Sequence, residues 1–230
     1  MKKNIYKIDN SVEKIINGSH TLFLDKNEFY LVKSKLNKKD YNVYSPFDDS
    51  EKVIIYSKKY PNVKVVKVIC DEQLKHQQVL GSLLALDIEQ SYIGDIILYN
   101  GEYYIFLISD ICDYVINNLV KIGIYNIILE EIPIIELKDY KRSYEQVEII
   151  LSSLRIDNAV SVLANVSRKN AIDKIKNNEV IVNCNVITKN SYTLKENDIF
   201  SIRKLGKYKY VGIIKNTKNN NYIVKLLKYI

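Results

Sequence analysis

The reading turns on Leu154-Arg155-Ile156-Asp157-Asn158-Ala159-Val160 and, one loop later, Val166-Ser167-Arg168-Lys169-Asn170-Ala171. Ala159, Val160, Val162 and Leu163 fall on one side of a short helix, with Asp157 expected as its N-cap. Ser167 is expected to cap a second helix whose buried stripe is Ala171, Ile172 and Ile175. Arg168 and Lys169 then sit in the first turn, where unpaired N–H groups already carry partial positive charge and favour an anion. A local rule broken this way points to a ligand. One phosphate could accept from the backbone N–H groups, the Ser167 hydroxyl and both cations together. Lys176 lies two turns beyond Lys169 on the same flank.

Downstream, residues 179–183 read as a short strand turned at Asn183-Cys184-Asn185, and Asn197-Asp198 leads into a strand over 199–203. Arg203, Lys204, Lys207 and Lys209 then crowd around Gly206, with Tyr208 and Tyr210 alternating among them. Such rings can stack on unpaired bases while cations hold the backbone; their plainer role is strand packing.

The charge is uneven in the same direction. Residues 151–230 hold 15 Lys and Arg against 5 Asp and Glu, whereas residues 1–150 hold 19 against 22, within a formal net charge of +7. A folded segment this basic is the footprint of a surface that faces phosphate; the bland alternative is a solvated Lys-rich surface.

Upstream, Asp25 and Glu28 have capping-box spacing, followed by helical repeats of Phe29, Leu31, Val32 and Leu36. Residues 52–57 and 63–70 are β-branched strands, and Leu74, Val79, Leu80, Leu83, Leu84 and Leu86 mark a helix with one buried side. Strands are expected at 94–98 and 103–108, turned by Asn100-Gly101, then a helix near 110–121 and a strand at 126–133. The pattern dissolves around 138–145, where the charge balance changes sign and a domain boundary is expected.

With 47% apolar residues in 230, only 7 Gly and 3 Pro, the chain should fold around real cores. No apolar run reaches the ~18 residues of a bilayer span, and the polar Asn10 and Glu13 interrupt any signal-like start, so a cytoplasmic protein with no membrane partner is expected. Cys70, Cys112 and Cys184 are widely spaced and His20 and His76 are the only histidines, which leaves no ligand spacing for a metal site.

Arg155–Asp157, Ser167-Arg168 with Ala171, Val180–Asn183, and Asp198-Ile199 with Arg203 resemble the S4 RNA-binding domain in order and spacing across residues 152–205. Cys184 and Asn197 stand where that family usually has Gly. Further motifs extend the likeness: His76, Leu80-Gly81-Ser82-Leu83-Leu84, Ile93-Gly94-Asp95-Ile96, Asn118-Leu119 and Ile122-Gly123, with Ser152-Ser153-Leu154-Arg155. Together they resemble the YlmH family over essentially the full length, although Gln77 and Gln78 replace its usual Arg-Asp.

The resemblance implies an α+β chain in three parts. These are an N-terminal α/β subdomain at 1–72, a central RRM-like RNA-binding domain at 73–140, and an S4-like domain at 141–230 with a basic β extension. It also implies association with the large ribosomal subunit, with ribosomal RNA and tRNA or peptidyl-tRNA as partners, in quality control of stalled complexes. A monomer is expected. The competing reading is an RNA-modifying enzyme of the pseudouridine synthase kind that uses the S4 part as an accessory. Against it, the only R-x-D, Arg155 to Asp157, belongs to the S4 part, and no dinucleotide turn, phosphate loop or nucleophile elbow is present. A non-catalytic binder with no cofactor is therefore expected. Its RNA contacts are Arg155, Ser167, Arg168, Lys169, Lys176, Arg203, Lys204, Lys207 and Tyr208.

Overall fold

In the computed structural model, which describes residues 2–230 and their side chains from residue 5 onward, the chain opens with helices α1 (Lys2–Ile16) and α2 (Lys26–Lys33). Asp25 accepts from Glu28 N–H at 2.8 Å while Glu28 accepts from Asp25 N–H at 3.1 Å, which realises the expected capping box. Lys7 pairs with Glu28 at 2.6 Å and so ties α1 to α2. Their apolar sides enclose Ile8, Ile15, Leu24 and Val32 together with Ile55. That last residue belongs to a two-stranded sheet of β1 (Asn42–Tyr44) and β2 (Ile54–Tyr56).

The chain divides into two compact units, Met1–Lys141 and Arg142–Ile230. The main sheet of the first unit takes β3 (Val63–Ile69), then, after α3 (His76–Leu84), β4 (Ile93–Tyr99) and β5 (Glu102–Ile108). Helix α4 (Cys112–Asn118), the small hairpin of β6 (Lys121–Ile122) and β7 (Tyr125–Asn126), and β8 (Ile128–Ile132) complete it. The antiparallel order is β4-β5-β3-β8. Asn100 and Gly101 join β4 to β5 with φ of 52° and 84°, the pair of positive angles a tight hairpin requires. Because β3 lies inside this sheet, the central fold reaches back before position 73.

Both faces of that sheet are covered. Val66, Val68, Ile105 and Leu107 pack on Val79, Leu83 and Val115 of the two helices. Val65, Tyr104, Phe106 and Ile108 pack on Phe23, Ile54 and Leu137. Gly94 permits the second contact, since a Cβ there would stand 2.6 Å from Phe23 Cζ and 2.9 Å from Phe106 Cβ.

The second unit begins with β9 (Tyr144–Leu151), followed by α5 (Ile156–Leu163) and α6 (Arg168–Lys176). Then come β10 (Val180–Val182), β11 (Asn185–Val186), β12 (Ile199–Ile202), β13 (Gly206–Asn216) and β14 (Tyr222–Tyr229). They form one antiparallel sheet in the order β11-β10-β12-β13-β14-β9. The inward members of each strand, among them Val180, Phe200, Tyr210 and Val224, close a single core with Ala159, Val160, Ala171 and Ile175 of the helices. The whole is an α+β protein with six α-helices among the described residues, none long and apolar enough to cross a membrane.

Two of the expected turns are solved without glycine. Asn183 and Cys184 connect β10 to β11 with φ of 49° and 65°, and Asn197 takes 69° before β12. Asn183 also anchors the following strand: its side chain donates to Asp198 at 2.8 Å and accepts from Ile199 N–H at 2.9 Å. Asp198, buried, further accepts from the Tyr192 hydroxyl and from Lys195 N–H, both at 2.8 Å.

Candidate nucleic-acid interface

Helix α6 carries the centre of the candidate site. Ser167 caps it as the sequence implies, accepting from Asn170 N–H at 3.2 Å with its own backbone extended. Ala171 and Ile175 are buried, so Lys169 and Lys176, seven residues apart, share the outward side at a spacing of ~10 Å along the axis. Both are exposed. Asp173, also exposed, lies one turn from each and moderates their charge.

Asp157 does not cap α5. Arg155 occupies the N-cap position with extended backbone, and Asp157 sits in the first turn with its side chain fully buried. The cause is electrostatic: Arg155 donates to Asp157 from Nε at 3.1 Å and Nη2 at 2.7 Å, a two-pronged pair. Arg168 approaches the same carboxylate from α6 at 3.4 Å. Burial alone would raise the pKa of Asp157, but the hydrogen bonds from Arg155 and Arg168 outweigh it and hold the group below its ordinary value. This pairing also corrects the expectation that the cationic first turn of α6 needs an outside anion. Asp157 already supplies a negative charge there. The cluster of two guanidinium groups and one carboxylate is left with one net positive charge, and both arginines keep part of their surface exposed, at 36% and 52%.

The far end of α6 gathers a second set. Glu179 accepts from Lys174 at 2.9 Å, and its backbone carbonyl accepts from Arg203 N–H at 2.9 Å. That brings the turn holding Arg203 and Lys204, both exposed, beside the end of the helix. Lys204 takes φ of 68° in this turn. Arg155, Ser167, Arg168 and Lys169 therefore cluster at one end of α6, with Lys176, Arg203 and Lys204 at the other.

Two expected members leave the site. Tyr208 is only 5% exposed and stacks on Phe200 at 5.5 Å, inside the core, so its ring cannot receive a base. Tyr210 is buried beside it. Strand alternation then sends Lys207 to the sheet face away from the helices, where its ammonium lies 5.1 Å from the centre of the Tyr229 ring. The tyrosine spacing carried no means of telling inward from outward. That became fixed only when β13 paired with β12 and β14.

In the first unit, Tyr104 and Phe106, the two aromatic residues that the central strand β5 turns to the face away from α3 and α4, are 7% and 1% exposed. Phe47 stands 5.6 Å from Phe106, and Tyr99 touches both Tyr104 and Tyr140. Stacking of RNA bases on this sheet face is blocked by the chain itself. His76 is the first residue of α3, and Gln78 reaches back to accept from Lys75 N–H at 2.8 Å, which gives that departure from the usual motif a helix-starting role. The Cys112 thiol is buried next to Glu131, and burial first, then that charge, push its pKa up to about 11, far from a reactive thiolate.

Residues 54–136 match a family described as "Putative RNA-binding domain in YlmH". The chain is 28% identical over 149 residues to "Ribosome-associated protein quality control protein P2" of Bacillus subtilis (strain 168). That match covers 65% of this chain and 58% of the relative's length. A solved structure, "Cell division protein ylmH from Streptococcus pneumoniae", aligns with a TM-score of 0.48 at 18% identity, over 59% of this chain and 92% of that one. The likeness to YlmH drawn from the sequence is thus met again in a family model.

Proposed function

We propose that this chain, with its YlmH-type central segment, is a non-catalytic RNA-binding protein that acts on the large ribosomal subunit in quality control of stalled translation. It grips ribosomal RNA, and tRNA or peptidyl-tRNA, with the helical side of its second unit. The observation that carries the reading is the arrangement along α6: Lys169 and Lys176 on one outward stripe, with the partly neutralised Arg155 and Arg168 at one end and Arg203 and Lys204 at the other. Such a set offers several phosphate contacts without any group poised for bond-making chemistry. Sequence specificity would come from RNA shape, because side chains do not readily enter the deep major groove of an A-form helix.

Two features support the domain reading. The helix pair α5–α6 followed by β-hairpins agrees with an S4-like module. The β-α-β-β-α-β succession of β3, α3, β4, β5, α4 and β8, with β3 and β5 at the sheet centre, agrees with an RRM-like fold whose usual stacking face has been sealed. The Bacillus relative carries ribosome-associated quality control in its name, which favours the ribosome as the seat of action. The protein works as a cytoplasmic monomer in this account.

Sedimentation with purified ribosomal subunits tests the proposal. The chain is expected to travel with the large subunit and to be released by the Arg168→Gln/Lys169→Gln double variant. Absence of the wild-type chain from the large-subunit fraction at low salt would overturn it.

A further inference from the structure

The sheet of the second unit has helices on one face only, and the other face has an unusual charge pattern. Pairing register places Lys209 opposite Leu227, Lys225 opposite Glu148, and Lys215 opposite Ile223, all on the outward side. Lys207 joins them through its seat over Tyr229, whose ring meets Tyr144 edge-on at 5.1 Å. Four lysines therefore share a face with two carboxylates, that of Glu148 opposite Lys225 and that of Glu196, whose Oε1 lies 3.3 Å from where a Cβ on Gly212 would stand. The floor between them, Ile150, Ile223 and Leu227, is exposed or half-exposed rather than capped by a helix. Cations in excess over an apolar floor match a polyanion that carries flat hydrophobic rings.

We infer that this open sheet face is a second RNA surface, which takes single-stranded RNA with its phosphates on Lys207, Lys209, Lys215 and Lys225 and its bases against the aliphatic floor. It lies on the opposite side of the sheet from α6, so the second unit holds RNA on two faces. The β-bulges between Tyr210 and Gly212 and between Ile213 and Lys215 help to build it. They shift the register so that Gly212 comes opposite Lys225 and Lys215 opposite Ile223. The inference rests on the RNA-binding reading above and adds a surface to it.

The test uses the full chain and a 20-nucleotide oligouridylate, with affinity measured across a potassium chloride series. Lys209→Gln/Lys215→Gln/Lys225→Gln should flatten the dependence of log affinity on log salt by about 2, at ~0.7 per single-strand phosphate contact. Lys169→Gln/Lys176→Gln should flatten it separately, and the two effects should add. If the sheet variant keeps the wild-type slope while the helix variant loses slope, the second surface is refuted and the proposed function stands. If neither variant changes the slope, both fall. Lysine acetylation of the wild-type chain guards against a variant that fails to fold: Lys209 and Lys225 should be shielded by the oligouridylate, and unchanged labelling would refute the surface. Tighter binding of oligoglutamate than of oligouridylate, abolished by the sheet variant, would also refute it by identifying an acidic protein as the occupant.

Discussion

The buried carboxylate of Asp157 grips the guanidinium of Arg155 through two hydrogen bonds, at 2.7 and 3.1 Å, across the first turn of α5. Arg168 adds weaker contacts from α6, so Asp157 joins the start of one helix to the start of the next. The pair is structural first: its negative member is out of reach of solvent, and its positive members present their remaining N–H groups outward. Asp157→Asn should therefore destabilise the second unit by about 1–3 kcal/mol, since a charged acceptor of several donors is replaced by a neutral one. Urea denaturation measures this. A loss within error of zero would mean that the cluster is not holding the helices together.

The same carboxylate sets a pH dependence. Its folded pKa lies below the unfolded value, so its contribution is fully present above the unfolded carboxylate range near pH 4 and is lost as pH falls through the lower folded value. The wild-type chain should lose stability more steeply than Asp157→Asn as pH drops below about 4. Parallel curves for the two proteins would show that this group does not titrate differently on folding.

At the β10–β11 turn, Cys184 holds a positive φ of 65° that a side chain makes costly. Cys184→Gly should raise stability by about 0.5–1 kcal/mol, the relief of strain being partly offset by the freer unfolded chain. Asn183→Gly should do the reverse, despite its similar angle, because it removes the bonds to Asp198 and Ile199. Thermal unfolding of the two variants separates them by sign.

Gly94 has no room for a methyl group between Phe23 and Phe106. Gly94→Ala should cost about 1–3 kcal/mol, because one obstacle is a Cβ fixed to its strand rather than a mobile side-chain tip. The loss should appear in the first unit alone. Unfolding followed by hydrogen exchange can assign it there.

Tyr208 offers a control for the interface. Its hydroxyl reaches only Leu205 O at 3.4 Å, and its ring is in the core. Tyr208→Phe should leave both stability and RNA affinity close to wild type, while Tyr208→Ala should cost about 3–5 kcal/mol as a buried aromatic deletion. A selective loss of RNA affinity in a stable Tyr208→Phe protein would return the residue to the site.

Much of the architecture was written in local signals. The Asp25–Glu28 box, the Asn100-Gly101 turn and the Ser167 cap each depend on a side chain bonding within its own neighbourhood, and each appears where its spacing put it. The exceptions depend on distant partners. Asp157 has the residue type of a cap, but the Arg155 and Arg168 guanidinium groups outcompete the backbone N–H groups for its oxygens. Lys207 and Tyr208 are adjacent in a basic run, and only the pairing of β13 assigns one to the open face and the other to the core. The sealed sheet of the first unit was likewise invisible, because its cover comes from Phe23, Phe47 and Tyr140, far apart along the chain.

The central claim is that cations arrayed along α6 bind RNA phosphate, and the salt dependence of binding to isolated large-subunit ribosomal RNA tests it most directly. Arg168→Gln/Lys169→Gln should reduce the slope of log affinity against log salt by about 2, roughly one for each phosphate that the replaced cations neutralise, with a similar weakening on unrelated RNA sequences. A folded double variant whose affinity and slope match the wild-type chain would contradict the account.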